Sequence, residues 1–151
     1  MTLTYRVMTP DDLPAVFELR LSTIENAVTM QELAEDYGIT PASLATAMQD
    51  KVRGWICEED GLAVGFAMGD AGEGEVQVVA VRPGFERRGI GKTLLASVTD
   101  WLFGAGHDEI WLLANPDPSL RATGFYQSLG WRPNGRRQGA DHVLVRQRKD
   151  G

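Results

Sequence analysis

The sequence predicts a mixed α/β (α+β) domain: a mostly antiparallel sheet with one parallel strand pair at its middle and helices on both faces. Three observations predict it. Strand-like runs from Gly54 to Glu58 and Leu62 to Met68 flank Asp60-Gly61, a hairpin turn signal, and a third run follows after a glycine-rich turn. Glu75 to Ala114 then reads strand, glycine-containing loop, amphipathic helix, strand, the pattern of a right-handed parallel crossover. Before the first hairpin the chain is rich in helix-start signals.

Thr4 to Met8 reads as a short first strand. Thr9-Pro10-Asp11-Asp12 starts a helix, with Thr9 as N-cap, Pro10 at the first helical position and acids in the first turn. Leu13, Val16, Phe17, Leu21 and Ile24 recur at helical spacing. Thr29 and Glu32 form a capping box for a second helix ending at Gly38, and Thr40-Pro41 starts a third through Leu44 and Met48. The meander follows, with Gly69 to Gly74 turning into the strand that opens at Glu75. Leu94, Leu95, Val98, Trp101 and Leu102 make one apolar helical stripe that stops near Gly104 to Gly106. Glu109 to Ala114 is the next strand. Asn115-Pro116-Asp117-Pro118 ends it and caps a helix over 118–129, which Gly130 closes. Trp131 to Arg137 and His142 to Arg146 read as a final hairpin.

A length of 151 residues suits one domain, and 43% hydrophobic with 24% charged residues is an ordinary globular composition. The net charge of −6 argues against a general nucleic-acid binder or a binder of anionic membranes. Cys57 is alone, which excludes an intramolecular disulfide and fits a reducing cytoplasm. No apolar run approaches the ~18 residues of a membrane span, and MTLTYRVMTPDD lacks the features of a signal peptide.

Against the negative total, residues 82 to 92 hold Arg82, Arg87, Arg88 and Lys92 with one acid, Glu86. Gly89 and Gly91 sit where this loop becomes a helix. A helix that starts in glycines offers free N–H groups and the positive end of its dipole, a site for phosphates. Gly91-Lys92-Thr93 resembles the end of a P-loop, but the glycine required five residues before Gly91 is Glu86. Arg87-Arg88-Gly89-Ile90-Gly91-Lys92 instead resembles the pyrophosphate loop of the GNAT superfamily of N-acetyltransferases, whose pattern is Q/R-x-x-G-x-G/A. Both glycines fit; Glu86 occupies the first slot, with Arg87 beside it. A second signature of that family, an Asn after strand five followed by a helix ending in Y-x-x-x-G-F, is matched by Asn115 and by Tyr126, Gly130 and Trp131.

The resemblance covers roughly residues 4 to 146 and implies residues 1–151 as a single acyl-CoA N-acyltransferase domain with acetyl-CoA as cosubstrate. It implies that the pantetheine arm lies where strands four and five splay apart, bonded to the backbone of Val79, Ala80 and Val81. The diphosphate would be held by the N–H groups of Arg87, Arg88, Gly89, Ile90, Gly91 and Lys92, with Thr93 close by. Asn115 would bond the pantetheine arm or a water, or else cap the following helix.

Tyr126 matches the family position whose phenol lies near the thioester sulfur, as proton donor to the departing thiolate; otherwise it is a core tyrosine. Glu75 is the candidate base. It opens strand four, five residues before Ala80, the position that carries a glutamate base in histone-acetylating members; otherwise it is a solvated acid beside Glu73. The reaction implied is direct attack of a primary amine in a ternary complex. The alternative is a non-catalytic acyl-CoA-binding or regulatory domain of the same fold.

His107 and His142 lack metal-ligand spacing, so no metal is expected. Cys57 and the four tryptophans read as core and sheet packing. Arg136, Arg137, Arg146, Arg148 and Lys149 read as a solvated face or a contact to the cofactor's 3′-phosphate. The acceptor is expected between the N-terminal helices and the final hairpin, where Glu25, Asn26, Glu35, Asp36 and Tyr37 hint at a cationic amine: a polyamine, an amino acid or a lysine side chain. Homodimers are common in the family, and the final hairpin offers an edge.

Overall fold

The computed structural model describes residues 2–22, 40–86, 88–114, 121–139 and 141–148. The expected second helix, Asn115, Arg87, Lys149 and the acceptor residues between Glu25 and Tyr37 lie outside them.

Seven strands form one sheet in the order β1-β2-β3-β4-β5-β7-β6. They are β1 Leu3–Val7, β2 Val52–Glu59, β3 Leu62–Asp70, β4 Glu75–Val81, β5 Glu109–Ala114, β6 Arg132–Gln138 and β7 Asp141–Gln147. All neighbours are antiparallel except β4 and β5, which are parallel. The expected mixed sheet is therefore present. The final hairpin also forms, but β7 rather than β6 docks on β5, so the later strand lies inside and β6 takes the edge. Trp131 precedes β6 and is buried in the core at 1% exposure.

Residues of a strand alternate between faces, and here both faces are covered. On one face α3, Ile90–Gly104, packs its stripe of Leu94, Leu95, Val98 and Leu102 against Cys57, Val64, Ala67, Val76, Ile110 and Leu112. On the other, α1 Leu13–Ser22 and α2 Pro41–Met48 cover Ile56, Phe66, Met68 and Ala80. The first turn after Thr9 is a separate 3-10 turn, Pro10–Asp12, and Leu19 is fully buried in α1, a position the expected stripe omitted. Asp12 returns its carboxylate to the Thr9 N–H at 2.8 Å and pairs with Arg6 at 2.7 Å. In α2, Ser43 N–H donates to Thr40 Oγ1 and Thr40 N–H to Ser43 Oγ, a reciprocal cap.

Two features of the sheet position the site. The β3–β4 register slips between Met68 and Gly69, with Gly69 opposite Val76 and Met68 opposite Val78, so Gln77 is an extra residue in β4. The β4–β5 register consists of one pair, Glu75 opposite Trp111. Beyond it the two strands part, toward the N-terminal end of α3. No described helix is long and apolar enough to cross a membrane.

Candidate active site

The loop before α3 is built as its glycines require. Gly89 is the N-cap at φ 78, a left-handed conformation that costs a residue with a Cβ about 1–2 kcal/mol, and a Cβ there would meet open space. Thr93 is the first residue bonded back into the helix, its N–H donating to Gly89 O at 3.0 Å. The N–H groups of Ile90, Gly91 and Lys92 have no acceptor among the described residues. Gly91 closes the gap behind them: its missing Cβ would lie 3.5 Å from both Phe125 Cζ and Val81 Cγ2.

Of the four cations that the sequence places around this loop, two are held by carboxylates. Arg82 turns to α1, forking onto Glu18 at 2.6 and 3.1 Å and donating through Nε to Ala63 O. Arg88 donates to the buried carboxylate of Glu59 at 3.0 Å and lies over the Phe85 ring. Lys92 is exposed, with no ion pair among the described residues. Glu86 accepts from Gly84 N–H at 2.8 Å, which turns its charge back into its own loop. Of the described groups around the loop, the backbone amides of residues 90–92 and Lys92 are those not held by another group, while Arg82 and Arg88 are engaged by carboxylates. Arg148 is not near: it donates to the carbonyls of Phe103 and His107 at the other end of α3. About 20 Å of helix separates Phe103 from Ile90. There its guanidinium meets the negative end of the helix.

In the cleft, Arg82 N–H donates to Val64 O, so strand alternation turns the peptide groups of Ala80 toward β3 and those of Val79 and Val81 toward β5. The 3.3 Å approach of Ala80 O to the Cβ position of Gly65 agrees. Val79 and Val81 therefore present strand-type donors and acceptors where β5 has moved away. Ala80 contributes its small side chain to the opposite face.

Glu75 lies at the closed end of the cleft. Val76 belongs to the α3-side core, so Glu75 points to the other face, as does its neighbour Trp111, flanked by the buried Ile110 and Leu112. Partial burial, reinforced by Asp70 and Glu73, pushes the Glu75 carboxyl up to about 7. The turn that leads to it is pinned. Trp111 donates from Nε1 to Glu73 O and from its backbone N–H to Gly74 O, each at 3.0 Å. The His107 ring packs over Gly74 and bonds Ala71 O.

Tyr126 is on α4, Arg121–Ser128, which packs against the start of α3 through Phe125. Its ring meets Phe125 and Trp131 edge-on at 5.2 and 6.2 Å. Burial pushes the phenol up to about 12, so it keeps its proton at neutral pH. Trp131 is buried, and its indole N–H has no acceptor among the described residues.

Two features escaped the sequence reading. Glu59 holds Arg88 from 29 residues away. Trp111 is not core: with Val143 and Val145 it lines an open groove of about 310 Å³, together with Glu109, Arg136 and Arg137. The out-of-phase position of Trp111 between Ile110 and Leu112 was the available signal.

The sequence profile of the Acetyltransferase (GNAT) family matches residues 13–131. No curated protein matches the chain in sequence. Among solved structures, the PaiA N-acetyltransferase of Thermoplasma acidophilum in complex with coenzyme A superimposes with a TM-score of 0.82 at 18% identity, over 98% of this chain and 100% of that one. The ribosomal-protein-S18-alanine N-acetyltransferase of Escherichia coli gives 0.69 at 19% identity, over 95% and 91%. YncA of Salmonella typhimurium, solved with its cofactor acetyl-CoA, gives 0.71 at 17%, over 100% and 96%. The family profile spans most of the chain and the likeness in fold extends over nearly all of it: this chain belongs to the GNAT family of acetyltransferases.

Proposed function

We propose that the protein transfers an acetyl group from acetyl-CoA to a primary amine by direct attack in a ternary complex. The observation that carries this reading is the parting of β4 from β5 after the single pair Glu75–Trp111, with unbonded helix amides at the open end. The backbone of Val79 and Val81 suits an extended amide-bearing arm that takes the place of a strand. The amides of Ile90, Gly91 and Lys92, with the Lys92 ammonium, suit a diphosphate. Arg87 and Asn115 complete the proposed set. When bound, acetyl-CoA supplies the thioester whose C–S bond is exchanged for a C–N bond to the amine.

The residues divide the proton work. An amine with a pKa of ~10.4 is neutral about once in several thousand molecules at pH 7, equivalent to roughly 4–5 kcal/mol. Glu75, raised to about 7, accepts a proton more readily than an ordinary carboxylate and takes the one the ammonium must lose, directly or through water. Tyr126 remains protonated and donates to the thiolate that departs.

Thiol release from acetyl-CoA over a panel of amines tests the whole reading; saturable binding with no release on any amine marks a binding domain instead. Tyr126→Phe folds, keeps its KM for acetyl-CoA within about twofold and loses roughly 10–100-fold in kcat. Unchanged kcat removes Tyr126 from the chemistry.

Glu75→Gln has two readouts. A base acts ionised, so wild-type kcat/KM rises with pH through about 7, and the Gln variant loses that inflection. For stability the sign is opposite. The folded carboxyl sits above its ordinary 4.5, so between those values the native state holds more protons than the unfolded chain. Stability then falls as pH rises through that window. Glu75→Gln therefore gains melting temperature over wild type at pH 8 but not at pH 4. A pH–rate profile that does not move refutes the base.

A further inference from the structure

The groove floored by Trp111 lies between groups of opposite charge. Register places Glu75 next to Trp111, Trp111 next to Val145, and Val145 next to Arg132, one row across four strands. Trp111, Val143 and Val145 form an apolar floor on the face opposite α3. Past Trp111, outside the residues that line the groove, stand Glu75, Asp70 and Glu73, close enough for the two neighbours to oppose ionisation of the first. On the opposite side, Arg136 and Arg137 line the groove, and neither has an ion pair among the described residues. Glu109, the remaining acid there, is engaged by the Gln147 side-chain amide. Three strand spacings, about 14 Å between backbones, separate β4 from β6, and Arg137, opposite His142, lies three residues along β7 from Val145, a further offset of about 10 Å along the strands. Less the reach of two long side chains, that leaves room for an amine and a carboxylate several bonds apart.

We infer that the acceptor is a zwitterion, an amino acid with a distal amine, whose nitrogen lies at Glu75 and whose carboxylate is received by Arg136 and Arg137. The inference rests on the acetyltransferase reading and makes its substrate more specific. Of the amines that the sequence hinted at, a polyamine, an amino acid or a lysine side chain, it selects the amino acid. A polyamine would bring its second ammonium against two guanidinium groups. An amino acid lays its aliphatic stem on Trp111 and Val145 and offers each end its counter-charge. A planar guanidinium is suited to hold a carboxylate through two parallel hydrogen bonds.

The test compares lysine with cadaverine and ornithine with putrescine, pairs that differ by the carboxylate alone, using acetyl-CoA and thiol release. Wild-type kcat/KM should favour the amino acid of each pair by tenfold or more. In Arg136→Ala/Arg137→Ala the KM for lysine rises at least tenfold, that for cadaverine falls, and the preference collapses. Arg136→Lys/Arg137→Lys, which keeps the charge, retains the direction of preference and guards against an effect of folding on the exposed edge strand. Equal or better turnover of cadaverine and putrescine by the wild type overturns the inference and leaves the acetyltransferase reading intact. No turnover of any amine by protein that binds acetyl-CoA overturns that reading, and the inference with it.

Discussion

Gly65→Val lowers the melting temperature by roughly 5–10 °C, the effect of about 1–3 kcal/mol of overpacking in a chain of this size. A Cβ at Gly65 would lie 2.7 Å from Ile90 Cγ2, 3.1 Å from Leu94 Cδ1 and 3.3 Å from Ala80 O. Ile90 and Leu94 are 1% and 0% exposed, so neither side chain has free space to yield into. The strain is relieved only by lifting the first turn of α3 off the sheet. That turn carries the Gly89–Lys92 amides, so the KM for acetyl-CoA rises together with the loss of stability. Gly104→Ala, at the far end of the same helix with nothing within 4 Å of the added Cβ, is the control. It leaves KM alone and stabilises by up to about 1 kcal/mol. Scanning calorimetry and acetyl-CoA titration on both variants decide the matter. A Gly65→Val protein as stable as wild type would mean that α3 does not sit against β3 at this distance.

Lys92→Glu separates stability from binding in the opposite way. Lys92 is the third helical residue of α3, exposed and without an ion pair among the described residues. A glutamate there favours the positive end of the helix, so the melting temperature holds or rises by the equivalent of about 0.3–1 kcal/mol. The same carboxylate faces the proposed diphosphate. Unit charges some 5 Å apart in water interact by about 0.8 kcal/mol. Reversing one charge against two phosphate charges then costs about 3 kcal/mol, or roughly 150–200-fold in KM for acetyl-CoA. The penalty shrinks as salt is added, and Lys92→Gln falls between. If the melting temperature holds and KM does not move at any ionic strength, Lys92 faces only solvent.

Local chemistry was readable from the sequence because it is settled within a few residues. Asp60-Gly61 makes its hairpin, Thr9 and Thr40 cap their helical turns, and the Leu94–Leu102 stripe is the buried face of α3. The order of the final hairpin was there to be read and was missed: Arg132–Gln138 carries a proline, three arginines and no apolar stripe, which suits an edge, while Val143, Leu144 and Val145 suit the inner strand. Other long-range pairing was not readable. The register slip at Gln77 depends on β3. The ion pairs of Arg82 and Arg88 span 64 and 29 residues, which is why a count of four cations within residues 82 to 92 does not show that two of them have partners. The cleft itself entered through the resemblance; the pattern of β4 and β5 alone predicts an ordinary parallel pair. For the candidate site, the positions of Glu75 and Tyr126 were legible. Their surroundings, which raise one group to about 7 and the other to about 12, belong to the tertiary fold.

The single rung between β4 and β5 has a consequence for life in a cell. The sheet is two smaller sheets that meet at one point, and on the proposed reading the cosubstrate is the mortar between them. A ligand at a hundred times its Kd adds about 2.7 kcal/mol to the folded state. The durability of this protein would then rise and fall with the supply of its own acetyl donor, and starvation would thin the enzyme as well as idle it.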